Sequence, residues 1–418
     1  MVQGRMWSPA AARLVLERCT EAERMAAMRV LICGAGMAGL TLAWCLERKG
    51  HHALVLERAP EPREEGYMLD FFGSGYDASE KMGLLPDLER IHYPIAHLKF
   101  VDEGGYERLS LPYRTLRKRL FRDRHFNFMR GDLERVLFQK IAACTEVRFG
   151  TTVDAFETIG NGIRVDLSDG STHVADLLVG ADGVHSKVRR LAFGEEPKFA
   201  RFVGCYTAAF VIDRRPEAFG VTDAFVTLTV PGRQVAVYPV RGGALAAFFV
   251  HRSARHSDGF SREAVFRELH DVYGHLGWLV PELIDQAARA SNLYFDAVTQ
   301  IAMPSWSRDR VVLLGDACQC VSLLAGQGAS MAVASAYILA EEIETAGVRY
   351  LGNALATYER RIKPSIERKQ AAGRNMADWF VPPDGLHLAL RDLALRVSVW
   401  PGASSIIRRR MEGESVFA

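Results

Sequence analysis

At 418 residues the chain is too long for one ordinary core, so two domains with appendages are expected. Hydrophobic residues make up 49% and charged residues 24%, the balance of a soluble globular protein, and a net charge of +2 gives no basis for binding nucleic acid or an anionic membrane surface. The 7 cysteines are scattered without a C-x-x-C, so neither a disulfide framework nor a zinc site is indicated, and a reducing, cytoplasmic setting is expected.

Residues 1–27 read as an extension outside the fold. Glu17, Glu21 and Glu23, with no long apolar core, exclude a signal peptide. Arg29 to Arg58 then reads as strand, glycine turn, helix, strand. Val30–Cys33 is a short apolar run suited to a buried parallel strand. Gly34-Ala-Gly36-Met37-Ala38-Gly39 has the G-x-G-x-x-G spacing: a tight turn, close approach of backbone to a pyrophosphate, and close packing of helix on strand. The helix Met37–Lys49 ends at Gly50, and its N-terminus offers free N–H groups to a phosphate. The second strand ends in Glu57, placed to accept the hydroxyls of a ribose. A surface carboxylate is the plainer reading of Glu57, and the motif alone does not choose FAD from NAD.

A polar loop follows, then a strand over Gly66–Phe72, a helix over Ser74–Met82 and a hairpin within Leu98–Leu111. The basic run Arg114–Arg124 reads as a solvated face. Arg130-Gly-Asp132 precedes a helix over Leu133–Ala143, and Arg130 either pairs with Asp132 or Glu134 or touches a ligand. Val147–Gly180 reads as a β-meander with turns at Asn161-Gly162 and Asp169-Gly170. It runs into GADGVHSKVR, where Asp182-Gly183 alone would be only a turn. Phe202–Val250 lacks the βαβ rhythm and reads as a separate, largely antiparallel sheet. Ser261–Ala288 is helical with a break near Gly274–Trp278, and Leu293–Ile301 is a strand leading back to the first domain. A third strand-to-turn junction ends in Gly315-Asp316, where Asp316 is a helix N-cap or a ligand contact. Gly326-Gln327-Gly328-Ala329 suggests backbone lying against a ligand before a helix. Cys318 and Cys320 lack further ligands and read as packing residues, not metal ligands. Ala354–Phe380 is a long helix interrupted by Pro364, and the tail beyond it carries no signal.

Together, GAGMAG with Glu57, then GADGVHSKVR, then LLGDACQCVSLLAGQGAS resemble the single-component (class A) FAD-dependent monooxygenases of the para-hydroxybenzoate hydroxylase fold. The resemblance covers roughly residues 28–380. EGYMLDFFGSGYDASEKMGLL resembles tetracycline-inactivating and natural-product-tailoring members. The implied fold is α/β: a Rossmann-like FAD domain of the glutathione-reductase type, interleaved with a mainly antiparallel substrate sheet and followed by a C-terminal helix. The expected segments are 28–75, 118–190 and 294–345 for the FAD domain, 76–117 and 191–293 for the substrate domain, and 346–418 for the C-terminal helix and tail.

The resemblance implies non-covalent FAD, with NAD(P)H as a visiting co-substrate. Oxygen would add at the flavin C4a, and the hydroperoxide would oxygenate an aromatic or polyketide-like small molecule. It assigns Gly34, Gly36, Met37, Ala38 and Gly39 to the pyrophosphate, and Glu57 and Arg58 to the adenosine. Arg130 would lie beside the flavin. Asp182 and Gly183 would lie near the pyrophosphate and the NAD(P)H path, with Arg189 as the motif's basic end. Asp316 would take the ribityl or ribose hydroxyls, and Gly326, Gln327, Gly328 and Ala329 the isoalloxazine ring. Gln319 and Leu323 stand where the family often has histidine and proline, and that proline lies near the flavin edge where oxygen reacts. Phe225, Tyr238, Phe248 and Phe249 are candidates for a substrate wall, half of them facing the ordinary core by alternation. No dedicated catalytic base is legible. A monomer or homodimer without membrane or nucleic-acid partners is expected. The rivals are a flavin-dependent reductase or halogenase on the same scaffold, or a non-catalytic FAD-binding protein.

Overall fold

Val30 to Cys33 are each 2% exposed or less, a burial on both faces that only a central parallel strand gives. This strand, β1 (Arg29–Cys33), opens a βαβ unit with α1 (Met37–Arg48) and β2 (His52–Glu57). The computed structural model describes residues 27–62, 67–212, 221–257, 259–290, 293–398 and 415–417. The expected extension therefore lies outside the described residues except for its last one, residue 27.

The chain then moves between two larger sheets and two smaller ones. β3 (Met68–Phe72), α2 (Ser74–Met82) and α3 (Leu85–Ile91) lead to the hairpin of β4 (His97–Val101) and β5 (Glu107–Pro112). α4 (Tyr113–Phe121), β6 (His125–Met129), α5 (Arg130–Ile141) and β7 (Glu146–Phe149) follow. β8 (Val153–Ile159), β9 (Gly162–Leu167) and β10 (Thr172–Ala175) precede β11 (Leu177–Gly180) and α6 (Lys187–Phe193). The second half carries β12 (Ala200–Ile212), β13 (Ala224–Val230), β14 (Arg233–Pro239), β15 (Leu245–Arg252), α7 (Arg262–Tyr273), α8 (Val280–Arg289) and β16 (Tyr294–Ile301). β17 (Ser307–Arg308), β18 (Val311–Leu313), the short α9 (Asp316–Gln319), α10 (Gly328–Ala346), α11 (Leu351–Phe380) and α12 (Gly385–Ser398) complete it.

The first sheet has the order β17-β18-β11-β1-β2-β7, parallel except for β17. The second has seven strands, β16-β12-β15-β14-β13-β4-β5, antiparallel except where β13 meets β4. β3 and β6 form a two-stranded pair, and β8 to β10 a three-stranded sheet. Alternation along this sheet gives it two apolar faces. Phe210, Val237 and Phe249 pack with Leu269, Tyr273 and Leu283 of α7 and α8. Ala209, Tyr238 and Phe248 share the larger core of the parallel sheet.

Several boundaries differ from expectation. Only β8 to β10 form the antiparallel meander; β7 pairs in parallel with β2, and β11 with β1. Apolar β11 is buried at every residue, a pattern that periodicity alone does not tell from a meander strand. β16 is an edge of the seven-stranded sheet, paired with β12 and not with the parallel sheet. The helix at Arg130 begins at that residue, not at Leu133. The basic run is not wholly solvated: it forms α4, and Arg117 turns inward to donate to His125 O at 3.0 Å. α11 continues through Pro364, and the tail contains the further helix α12.

Candidate active site

The carboxyl ends of the parallel strands open into a cleft of about 580 Å³. This is where open α/β sheets take ligands. The β1–α1 turn supplies Gly34, Gly36 and Met37, and β2 supplies Glu57 and Arg58. α5 supplies Arg130 and Glu134, and the turn after β11 supplies Asp182 and Gly183. From the far end of the chain come Asp316, Gly326, Gly328 and Ala329.

The glycines divide the work. A Cβ at Gly34 would lie 2.3 Å from Ala181 O, and φ there is +113°. A Cβ at Gly39 would lie 2.0 Å from Gly34 O, so this glycine lets the helix close on its own turn. Gly36 differs: its nearest neighbour would be Glu134 Oε1 at 3.6 Å, so the space above it is open cleft. Ala38, Gly39 and Gln327 do not line the cleft; Ala38 is buried against Gly315, and Gln327 accepts from Lys369.

The charged residues show which side chains are held by the protein and which are not. Glu57 accepts from Ala35 N at 3.0 Å and Ala59 N at 2.9 Å, so it braces the glycine turn while facing the cleft. Asp182 accepts from Ser186 Oγ at 2.5 Å, Lys187 N at 2.7 Å and Val188 N at 3.1 Å, so it supports the first turn of α6 and holds the N-cap Ser186, which itself accepts from Arg189 N at 2.9 Å. Arg130 both pairs with Glu134, at 3.1 Å, and lines the cleft. Asp316 has no hydrogen-bond partner among the described residues and opens into the cleft. Its side chain is exposed to the cleft; the protein packed around it raises its pKa, and the charge of Arg130 partly offsets this. A carboxylate left unpaired in such a place is placed to receive a ligand's hydroxyls.

Other residues complete the cleft without a sequence signal of their own. Tyr67, Thr152, Tyr294, Asp296, Thr299 and Ser322 line it. Ser322 has φ +89°, a conformation costly for a serine. His185, Lys187 and Arg190 form a cationic rim beside GADG and were within reach of that motif. The carboxylates of Asp296 and Glu196 push His185 up to about 10. Arg189, expected as the basic end of this motif, is instead fully buried. It donates to Ala317 O at 2.9 Å, Val184 O at 2.7 Å and Glu196 Oε2 at 2.7 Å. A step of one residue on a helix turns a side chain by about 100°, which sends Arg190 to the cleft and Arg189 to the core.

None of the four aromatic candidates lines the cleft: Phe225, Tyr238 and Phe248 lie on the face toward the parallel-sheet core, and Phe249 lies on the other. Phe248 meets the ring of cleft residue Tyr67 at 6.0 Å. The Tyr238 hydroxyl accepts from Met68 N at 3.0 Å, and its ring stacks on Phe225 at 4.7 Å. Phe249 lies on the opposite face against Tyr273, 5.0 Å away, and cannot reach the cleft. Gln319 also points away from it: its amide accepts from Ser335 Oγ at 2.8 Å and donates to Tyr358. Leu323 does line the cleft.

A glycine turn with open space at Gly36, a carboxylate without a protein partner among the described residues at Asp316 and backbone at Gly326 and Gly328 together fit a dinucleotide that carries a ring system. A model of the FAD-binding domain matches residues 27–369, and the chain belongs to this family. The Mycobacterium tuberculosis protein Rv1260, whose name states no function, is 34% identical over 345 residues, spanning 82% of this chain and 91% of that protein. The FAD-dependent monooxygenase asL4 of Sarocladium schorii is 31% identical over 376 residues, spanning 83% and 86%. The crystal structure of tetracycline destructase Tet(55) superposes with a TM-score of 0.78 at 25% identity, covering 90% of this chain and 97% of that one. The protein is an FAD-dependent monooxygenase acting on a small molecule. Among the described residues, no helix is long and apolar enough to cross a membrane, and no cluster of histidine, cysteine and acidic side chains could hold a metal ion.

Proposed function

We propose that the enzyme takes electrons from NAD(P)H and inserts one atom of O2 into a flat aromatic or polyketide-like molecule. The observation that carries this reading is the meeting, in one cleft, of the open glycine turn, the unpaired Asp316 and the Gly326–Gly328 backbone. When bound, FAD supplies the redox and oxygen chemistry. The protein binds, orients and excludes water. Gly36 and the N-terminus of α1 receive the pyrophosphate. Glu57 and Arg58 take the adenosine, Arg130 and Asp316 the ribityl chain, and Gly326, Gly328 and Ala329 the ring. His185, Lys187 and Arg190 offer cations to an approaching nicotinamide dinucleotide. Gly183 keeps its turn open, with φ +82° and nothing within 4 Å of an added Cβ.

The substrate class is supported by Tyr67, an aromatic ring that lines the cleft and packs on Phe248 behind it; Phe225 and Tyr238 stack together without lining the cleft. Tet(55), named a tetracycline destructase, shares this fold. We place the enzyme in the cytoplasm, consistent with the free cysteines among the described residues, and expect a monomer or homodimer. The test is oxygen uptake with NAD(P)H against a panel of aromatic and polyketide compounds, followed by product analysis under labelled O2. Stimulated uptake with one labelled oxygen in the product is expected. Turnover that proceeds equally well without O2 would replace this reading with a reductase.

A further inference from the structure

The segment from Cys320 to Ala329 presents backbone to the cleft, yet what fixes it lies behind it, on α11. Gln370, buried on that helix, donates both amide hydrogens to main-chain carbonyls, Cys320 O at 2.9 Å and Ile301 O at 2.7 Å. Gln300, buried on β16, donates to Val321 O at 3.1 Å and to Gln370 O at 2.8 Å. Arg374 of α11 closes the set by donating to Gln300 Oε1 at 3.3 Å. One residue before Gln370, the ammonium of Lys369 donates to Gln327 Oε1, at the other end of the same segment. Between these two anchors stands Ser322, whose φ of +89° must be imposed by its surroundings.

We infer that Lys369 and Gln370 are positioning residues for the flavin: together they clasp both ends of the loop that faces the ring, and so set where its backbone meets the cofactor. Neither side chain lines the cleft. Gln370 also lies just beyond the matched family region, 27–369. The chemistry demands a donor here. Two main-chain carbonyls leave no role for an acceptor, so a glutamate of the same shape would reverse the interaction and push the loop away. The loss of a donor to buried carbonyls corresponds to roughly tenfold in an equilibrium that depends on loop position.

The inference rests on the assignment of this cleft to FAD. The experiment measures FAD dissociation constants and the visible spectrum of bound flavin for the full-length wild type, Gln370→Glu, Lys369→Met and Lys369→Arg. Expected are about tenfold weaker FAD binding and a shifted flavin band in Gln370→Glu, the same direction in Lys369→Met, and recovery in Lys369→Arg, which keeps the donor. Lys369 is only partly buried, so its variants remain folded if Gln370→Glu does not. FAD affinity and spectrum unchanged in Lys369→Met, or in a folded Gln370→Glu, would overturn the clasp while leaving the cleft assignment intact. A wild type that takes up no FAD would overturn both.

Discussion

Replacing Gly36 by alanine separates the needs of the fold from those of the cofactor. Gly36 has φ −80° and ψ −178°, an extended conformation open to any residue. Its added methyl would meet only Glu134 Oε1, at 3.6 Å, an ordinary contact. The apo protein should therefore tolerate the change, with a stability shift within about 1 kcal/mol and a small gain as plausible in sign as a loss, since alanine narrows the unfolded ensemble. The methyl projects into the space where a pyrophosphate must approach backbone. FAD affinity should fall by at least about tenfold, or about 1.4 kcal/mol. Gly34→Ala and Gly39→Ala supply the contrast. Their methyls would sit 2.3 Å from Ala181 O and 2.0 Å from Gly34 O, main-chain atoms that cannot swing aside. Those variants should lose about 3 kcal/mol or more of fold stability. Thermal melting of apo protein and FAD titration by flavin fluorescence read the two effects separately. Wild-type FAD affinity in Gly36→Ala would refute the placement of the pyrophosphate.

Three further expectations follow from the same geometry. Asp316→Ala should keep its fold and lose most of its FAD, whereas Asp182→Ala should lose about 1–2 kcal/mol of stability because Lys187 N, Val188 N and the capping Ser186 hydroxyl lose their acceptor; equal FAD loss with an unchanged melting point in both would reverse these roles. Arg189→Met should destabilise the fold by about 3 kcal/mol, since Glu196 and two carbonyls lose a buried partner, and denaturant titration measures this. His185 is raised from 6.5 to about 10, so its ion pairs contribute stability fully below about pH 6.5 and lose it as pH rises toward about 10. The stability gap between wild type and His185→Gln should accordingly shrink from pH 6 to pH 10 in denaturant titrations, and a constant gap would contradict the charged state of this histidine.

The residues readable from sequence share one property: their signal is local. The glycine turn and Asp316 each follow an apolar strand and precede a helix, and Glu57 ends an apolar strand at a fixed distance from the glycines, so backbone geometry constrains the residue type over a few positions. The partners of a strand are not local. β7, β11 and β16 have the composition of many strands, and only their pairing decides which sheet they join. Tyr67 and Asp296 reach the cleft from β3's lead-in and from the opposite sheet, so no spacing announces them. The exchange of Arg189 for Arg190 is a question of helix phase, undetermined until the start of α6 at Lys187 is known. Gln319 departs from the family pattern at a position whose side chain, in this fold, bonds Ser335 and Tyr358 and bears on the packing of α9, α10 and α11. Its substitution therefore leaves the cleft lining itself unaltered, while Leu323 changes it directly.

The most direct test of the account is the visible absorption spectrum of the purified full-length protein, with the released cofactor identified by mass. A flavin spectrum from wild type, FAD in the supernatant after denaturation, and a colourless but folded Asp316→Ala variant are the predicted results. A wild-type protein that is colourless and takes up no added FAD would contradict the assignment of the cleft.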